Sequence, residues 1–350
     1  MSQLSSGSQE AAKQAANLRT RPFAAMLILV GGTIALVLSL CASISVGAAD
    51  ISFSTVWQAV FHFDPNVTQH QIIQEIRLPR ALAGAMIGAC FAVAGAILQG
   101  MTRNPLADTG LLGINAGAGF VLALCFAFFP GLPFHKLILF SFLGTAAGTG
   151  LVYGIGSFAK GGMTPVRLAL SGAAVGALLV ALSEGVAIYF KVGQELAFWY
   201  AGGMAGTKWL QIKMMSPWVI GGLIAALLLS RSVTLLSLGE EIATNLGQRT
   251  KLVKLACTLV VLVLAGAAVS SVGSIGFVGL MIPHVARALV GVDYRWIIPS
   301  SAVLGSLLIV LADIGARMVH PPYETPVGAL IAIVGVPFFL ILTRKDRREL

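Results

Sequence analysis

Residues 22–49 read PFAAMLILVGGTIALVLSLCASISVGAA and carry no charge. A helix needs about 20 apolar residues to cross the hydrocarbon of a bilayer, so this stretch is long enough to span one. The polar residues before it, with Lys13, Arg19 and Arg21, give it the outline of a secretory leader. A leader's apolar region is only about 7–15 residues long, so the stretch reads as an uncleaved first helix. Processing after the small residues at Gly47–Ala49 is the alternative.

The rest of the chain has the same character. Of 350 residues, 57% are hydrophobic and 11% charged, against roughly 25% charged in a soluble domain. Lipid must be the solvent for most of it, and no large soluble domain fits. The 40 glycines suit membrane helices, where small residues let backbones approach closely. The net charge of +9 comes with no basic stripe or aromatic interleaving, so a nucleic-acid partner is not indicated. Cys41, Cys90, Cys125 and Cys257 each stand alone in apolar sequence. They read as small buried hydrophobes, and no metal site is expected.

Nine further segments have the length or interruption of crossing helices: 81–101, 110–129, 136–159, 167–190, 214–230, 251–271, 275–291, 297–318 and 327–343. Glycines four apart, as in Gly84/Gly88, Gly144/Gly148, Gly150/Gly154 and Gly172/Gly176, fall on single helix faces suited to packing. The fold class is therefore an all-α polytopic membrane protein of about ten transmembrane helices. Residues 1–21 and 344–350 form short tails and 22–343 the membrane domain. Ten crossings put both tails on one side. Sixteen of the 23 lysines and arginines fall on that side and seven on the other, which places both termini in the cytoplasm.

No Gly-x-x-x-x-Gly-Lys-Ser/Thr occurs, so the chain has no phosphate cradle of its own and is not expected to hydrolyse ATP. His62, His70, His135, His284 and His320 are scattered, and no catalytic constellation gathers around them. The longest interior polar stretch, LLSLGEEIATNLGQRT at 235–250, reads as a short cytoplasmic helix. Glu240 and Glu241 suit the dipole at its start and Gly247 its end. It is either a plain connector or the seat of a soluble motor. Asp313 and Arg317, four apart, can pair on one helix face; the pair is either structural or a place for Arg317 to receive a partner. Glu184 has no near partner inside its span and should face the protein interior or an aqueous path. Pro283, Pro326 and Pro337, with Gly273, Gly276 and Gly279, interrupt the last three spans. Irregular backbone at membrane depth is tolerated only against protein or a water-filled cavity, which favours a transport path over a passive anchor.

Five ordered stations carry a family likeness: RLPR (77–80), LQGMTRNPLADTGLLGINAGA (98–118), LSLGEEIATNLG (236–247), IGFVGLMIPHVARALVG (275–291) and ETPVGALIAIVGVPFF (324–339). The chain resembles, over about 22–343, the FecCD family of ABC importer permeases, which serves iron siderophores, haem and cobalamin. The likeness implies a ten-helix subunit resembling the cobalamin-importer permease, working with a second copy or a paralogue in the cell membrane of a bacterium. Two cytoplasmic ATPase subunits, which use the ATP, and an extracytoplasmic binding protein complete the expected assembly, with no cofactor bound by the chain itself. It further implies ATPase coupling at Gly239, Glu240, Glu241, Ala243 and Gly247, and binding-protein docking at Arg77, Arg80 and Arg317. Asn104 and Leu106 would fall at a cytoplasmic gate and Glu184 near the pathway. Thr109 stands where the family pattern leads one to expect proline. The likeness names no substrate. An ion-coupled secondary transporter is the rival reading, since interrupted helices suit it too, but such a carrier has no reason to keep the 236–247 helix.

Overall fold

A computed structural model describes residues 20–47, 51–157, 164–320 and 325–346. The expected N-terminal tail (but for its last residues), Ala48 and Ala49 of the alternative processing site, Lys160, Glu324 and the last four residues lie outside them. Among the described residues the chain is helical throughout, with no strand. The order is α1 (Pro22–Ser45), α2 (Phe53–Phe61), α3 (Thr68–Ile72), α4 (Leu78–Thr102), α5 (Ile114–Phe128), α6 (Phe134–Ser157), α7 (Pro165–Phe190) and α8 (Gly193–Tyr200). There follow α9 (Trp209–Leu238), α10 (Glu240–Asn245), α11 (Thr250–Val272), α12 (Val278–Val290), α13 (Tyr294–Val319) and α14 (Val327–Asp346). A π-turn at Ile73–Arg77 joins α3 to α4 without a break.

Seven of these helices are long and apolar enough to cross a membrane, α3 to α4 counting as one, and α5, α12 and α14 are shorter apolar helices. Each of the ten segments expected from hydropathy coincides with one of these ten. Two differ most: the helix of α3 and α4 begins at Thr68, well before the expected 81, and α9 runs beyond the expected 214–230 at both ends, to Trp209 and Leu238. Polarity ends the apolar run at Ser230, but Arg231, Ser232 and Thr234 are good enough helix residues to continue the coil outside lipid.

The hub is α4, buried along almost its whole length and packed on α1, α9, α11, α12 and α13. It is rich in alanine and glycine, which lets these neighbours approach to backbone contact. A Cβ on Gly88 would overlap the carbonyl of Gly305 in α13, and one on Gly95 the carbonyl of Gly279 in α12. In lipid, where no hydrophobic force drives helix on helix, such close van der Waals packing holds the bundle together. A second group, α5, α6 and α7, joins the hub through α11. By contrast α1 is peripheral and rests mainly on α13.

Hydropathy gave no sign of α2 or α8. In α2 the cap is Ser52, whose side chain accepts from Thr55 N, and Phe53, Trp57 and Phe61 are exposed on it. Aromatic residues at this position suit a headgroup interface.

Candidate functional site

Three regions carry the sites expected from sequence. At one end, α1 and α13 finish and α4 begins. There Arg80 of α4 grips Asp313 of α13 through Nη2 and Nε, each donating to Oδ1, at 2.8 and 3.0 Å. Arg317 holds the other carboxylate oxygen at 3.2 Å, so the expected i, i+4 pair is present as part of a triad. Arg77 Nη1 donates to the carbonyls of Ile44 and Ser45, both at 2.7 Å. Arg317 Nη1 donates to those of Ser43 and Val46 at 3.0 and 3.1 Å. The last carbonyls of a helix have no donor within it, and cations there also meet the negative end of the dipole. Two guanidinium groups thus cap the end of α1. The structure brings Arg77, Arg80 and Arg317 to one end of the bundle. It also turns them inward: Arg77 and Arg80 are 7% and 5% exposed. The capping role was not legible from sequence, because it depends on the end of α1 reaching residues some 30 and 270 positions away.

At the opposite end lies α10. Gly239 precedes it with φ +130° and Gly247 follows with φ +82°, conformations that suit a residue without a side chain. Ala243 is buried against the bundle, while Glu241, Ile242 and Leu246 point outward. Lys254 Nζ sits 2.5 Å from Glu240 Oε2, and this contact holds the Glu240 carboxyl below the usual carboxylate range. A depressed pKa adds stability at and above ordinary carboxylate pKa values, lost as pH falls through the lowered value. The tie between α10 and α11 therefore persists at neutral pH and yields only in acid.

Close to this end, loop 103–113 leaves α4 through Arg103, in the left-handed region at φ +52°. Asn104 Oδ1 accepts from Leu106 N at 2.9 Å, closing a turn. Asn104 is exposed and Leu106 half-buried, so the two expected gate residues share one tight loop. Thr109, the departure from the family pattern, is buried and begins a 3-10 turn.

Between the two ends the helices break at depth. The non-helical residues 273–277 lie against the stretch that follows α8, with Gly203 N donating to Val272 O at 3.1 Å. A small cavity of about 70 Å³ opens there, lined by Arg80, residues 201–205 and the start of α14 at Thr325–Val327. Glu184 lies on the outward side of α7, exposed, and among the described residues no salt bridge reaches it. Ala173, Ala174, Ala177, Ala181 and Gly185 share that exposed side, while Val175, Leu179, Ser183 and Ala187 are buried. The described residues hold no group of side chains able to bind a metal ion. The cysteines are free thiols, three of them buried.

A bundle of apolar helices interrupted at residues 273–277, with arginines gathered at one end and a short exposed helix at the other, fits a membrane transport subunit. The chain belongs to the FecCD transport family, which residues 34–345 match. It is 52% identical over 331 residues to the iron(3+)-hydroxamate import system permease protein FhuB of Bacillus subtilis (strain 168), covering 95% of this chain and 86% of that protein. It is 41% identical to the iron-uptake system permease protein FeuB of the same organism, over 92% of this chain and 97% of that one. Among solved structures, an inward-facing metal-chelate type ABC transporter superposes with a TM-score of 0.80 at 30% identity, covering 91% of this chain and 99% of its counterpart.

Proposed function

We propose that the chain is the membrane-spanning permease of an ATP-driven importer that carries a ferric hydroxamate into a bacterial cell. The observation that carries this reading is the 52% identity, spread over 95% of the chain, to an iron(3+)-hydroxamate permease. The ten apolar helices support ten crossings with both termini in the cytoplasm, as the lysine and arginine distribution requires. On that orientation α10 faces the cytoplasm and offers Glu241, Ile242 and Leu246 to a soluble ATPase. Two guanidinium groups on the Asp313 carboxylate and a third, Arg77, on the end of α1 make this end rich in positive charge, and such a field attracts an acidic binding protein even when the side chains are turned inward. A second copy or paralogue completes the membrane unit.

The test is uptake of radiolabelled iron by cells lacking the gene and by cells carrying it on a plasmid. Restored uptake of a ferric trihydroxamate that stops on ATP depletion and survives collapse of the proton and sodium gradients supports the reading. Uptake abolished by ionophore with ATP maintained is the result expected of an ion-coupled carrier, and it overturns the proposal.

Glu184 extends this reading to substrate charge. Glu184 lies in the last two turns of a crossing-length helix, and a carboxylate within the hydrocarbon is costly and faces protein or an aqueous cavity, so in this reading its exposed side of α7 does not meet lipid. Beside the pathway it favours neutral or cationic chelates, such as hydroxamates, over the trianionic ferric catecholates. Unit charges about 15 Å apart at an effective dielectric constant near 20 interact by about 1 kcal/mol, roughly fivefold. Glu184→Gln is therefore expected to lower uptake of a cationic ferric hydroxamate relative to a neutral one about fivefold. An unchanged ratio in competition uptake removes Glu184 from the path.

A further inference from the structure

Pro283 stands inside α12 and has no N–H. The carbonyl of Gly279, four residues earlier, consequently lacks its helical donor, and the helix bends where the ladder is interrupted. Gln99 of α4 supplies the missing donor. Its Nε2 donates to Gly279 O at 3.2 Å and to Leu280 O at 3.1 Å. The other end of the same amide, Oε1, accepts from Arg287 Nη2 at 3.2 Å, and Arg287 lies four residues beyond the proline. One side chain, only 2% exposed, thus holds α12 on both sides of its bend. Both N–H groups and the oxygen of the amide are used, which makes the contact specific for glutamine.

Two lines of bonds leave this clamp. The main-chain carbonyl of Gln99 accepts from Asn104 N at 3.2 Å, so loop 103–113 starts from it. In the other direction Arg287 Nη2 donates to the hydroxyl of Tyr294 at 3.1 Å. The N–H of Tyr294 donates to Thr234 Oγ1 at 3.0 Å, in the last turns of α9. Those turns also present the carbonyl of Ser232, which accepts from Gln248 Nε2 at 3.0 Å, and Gln248 N donates to Ala243 O to close α10. From α10 to the gate loop hydrogen bonds run partly through side chains and partly through main chain, and α12, with Pro283 inside it, is tied to this line at Gln99 and Arg287. Coupling needs an element with two arrangements as well as a chain of contacts, and the proline-interrupted α12 is the candidate for that role.

We infer that Gln99 and Arg287 are positioning residues that tie the bend of α12, and through it the loop carrying Asn104 and Leu106, to displacement of α10. This rests on the importer reading above, in which α10 meets the ATPase.

The experiment uses the complete transporter in proteoliposomes: permease, ATPase and binding protein, with a ferric trihydroxamate. It measures iron taken up per ATP hydrolysed, and ATP-dependent thiol labelling of Leu106→Cys. Gln99→Met keeps the volume and removes every side-chain bond. It is expected to lower iron per ATP roughly fivefold or more and to flatten the ATP dependence of labelling, with ATPase still bound. Gln99→Met combined with Pro283→Ala returns a backbone donor to Gly279, so it should recover thermal stability and leave coupling low. A purely structural Gln99 predicts that both recover together, which overturns the inference. Tyr294→Phe breaks only the link to Arg287 and keeps the ring against Gly100. It should reduce coupling in the same sense, and it provides the reading if Gln99 variants fail to fold. Wild-type coupling in folded Gln99→Met or Tyr294→Phe overturns the inference alone. A wild-type chain that recruits no ATPase instead overturns the importer reading beneath it.

Discussion

Asp313→Ala is expected to destabilise the chain by about 3–5 kcal/mol, the cost of removing one partner from a buried ion pair. The carboxylate is 1% exposed and is shared by Arg80 and Arg317. Its loss leaves two guanidinium groups facing each other with no counter-charge in a region that water barely reaches. The damage should spread to α1, because Arg317 is oriented by Asp313 while it caps Ser43 and Val46. Asp313→Asn keeps the shape and the hydrogen-bond acceptor but not the charge, so it should fall between wild type and alanine. Thermal unfolding of the purified chain in detergent checks the order, and protease sensitivity at 46–52 checks the release of α1. An alanine variant as stable as wild type, with α1 still protected, contradicts the buried-triad account.

Glu240→Lys together with Glu241→Lys is expected to abolish ATP-driven uptake while the chain still inserts and folds. The first change places a lysine beside Lys254, whose ammonium now sits 2.5 Å from Glu240. The second reverses an exposed charge on the surface that meets the ATPase in the proposed assembly. Both also set positive charge against the positive start of a helix. Co-purification of the ATPase with the double variant measures attachment, and stimulation of hydrolysis by loaded binding protein measures coupling. If both remain at wild-type levels, residues 235–250 are a connector. Moderate acid should leave the native contact intact, because the Lys254 contact already holds Glu240 below the usual carboxylate range.

Hydropathy located ten apolar helices to within a few residues at most ends, since lipid leaves a backbone few options beyond the helix. What it could not locate were elements set by position in the folded bundle. The helix α8 begins Gly-Gln-Glu-Leu and its apolar run, 196–200, is too short to register as a crossing helix; it is placed by burying Leu196 against Ala123 and Ala187. The role of Gln99 was hidden for a different reason. In sequence it is one polar residue in an apolar helix, and only the fold sets it opposite Pro283, 184 positions away. Asp313 and Arg317 were visible as a pair because four residues make one helical turn, whereas Arg80 enters from a distant helix. The six-residue α10 was legible because its signals are local: two acids at its start and a glycine just past its end.

The capping of α1 also bears on the order in which the protein is made. The carbonyls of Ser43 and Val46 at its end are closed by Arg317, about 270 positions further along the chain. At a synthesis rate of about 5–20 residues per second, roughly 15–55 s pass between the emergence of the two. During that interval Arg77 can close only the carbonyls of Ile44 and Ser45, those of Ser43 and Val46 lack their cap, and the principal neighbour of α1, α13, is not yet made. Nascent chains stalled or truncated before α13 should therefore expose a loosely held first helix to membrane quality control, and the cap on α1 is complete only when Arg317 arrives.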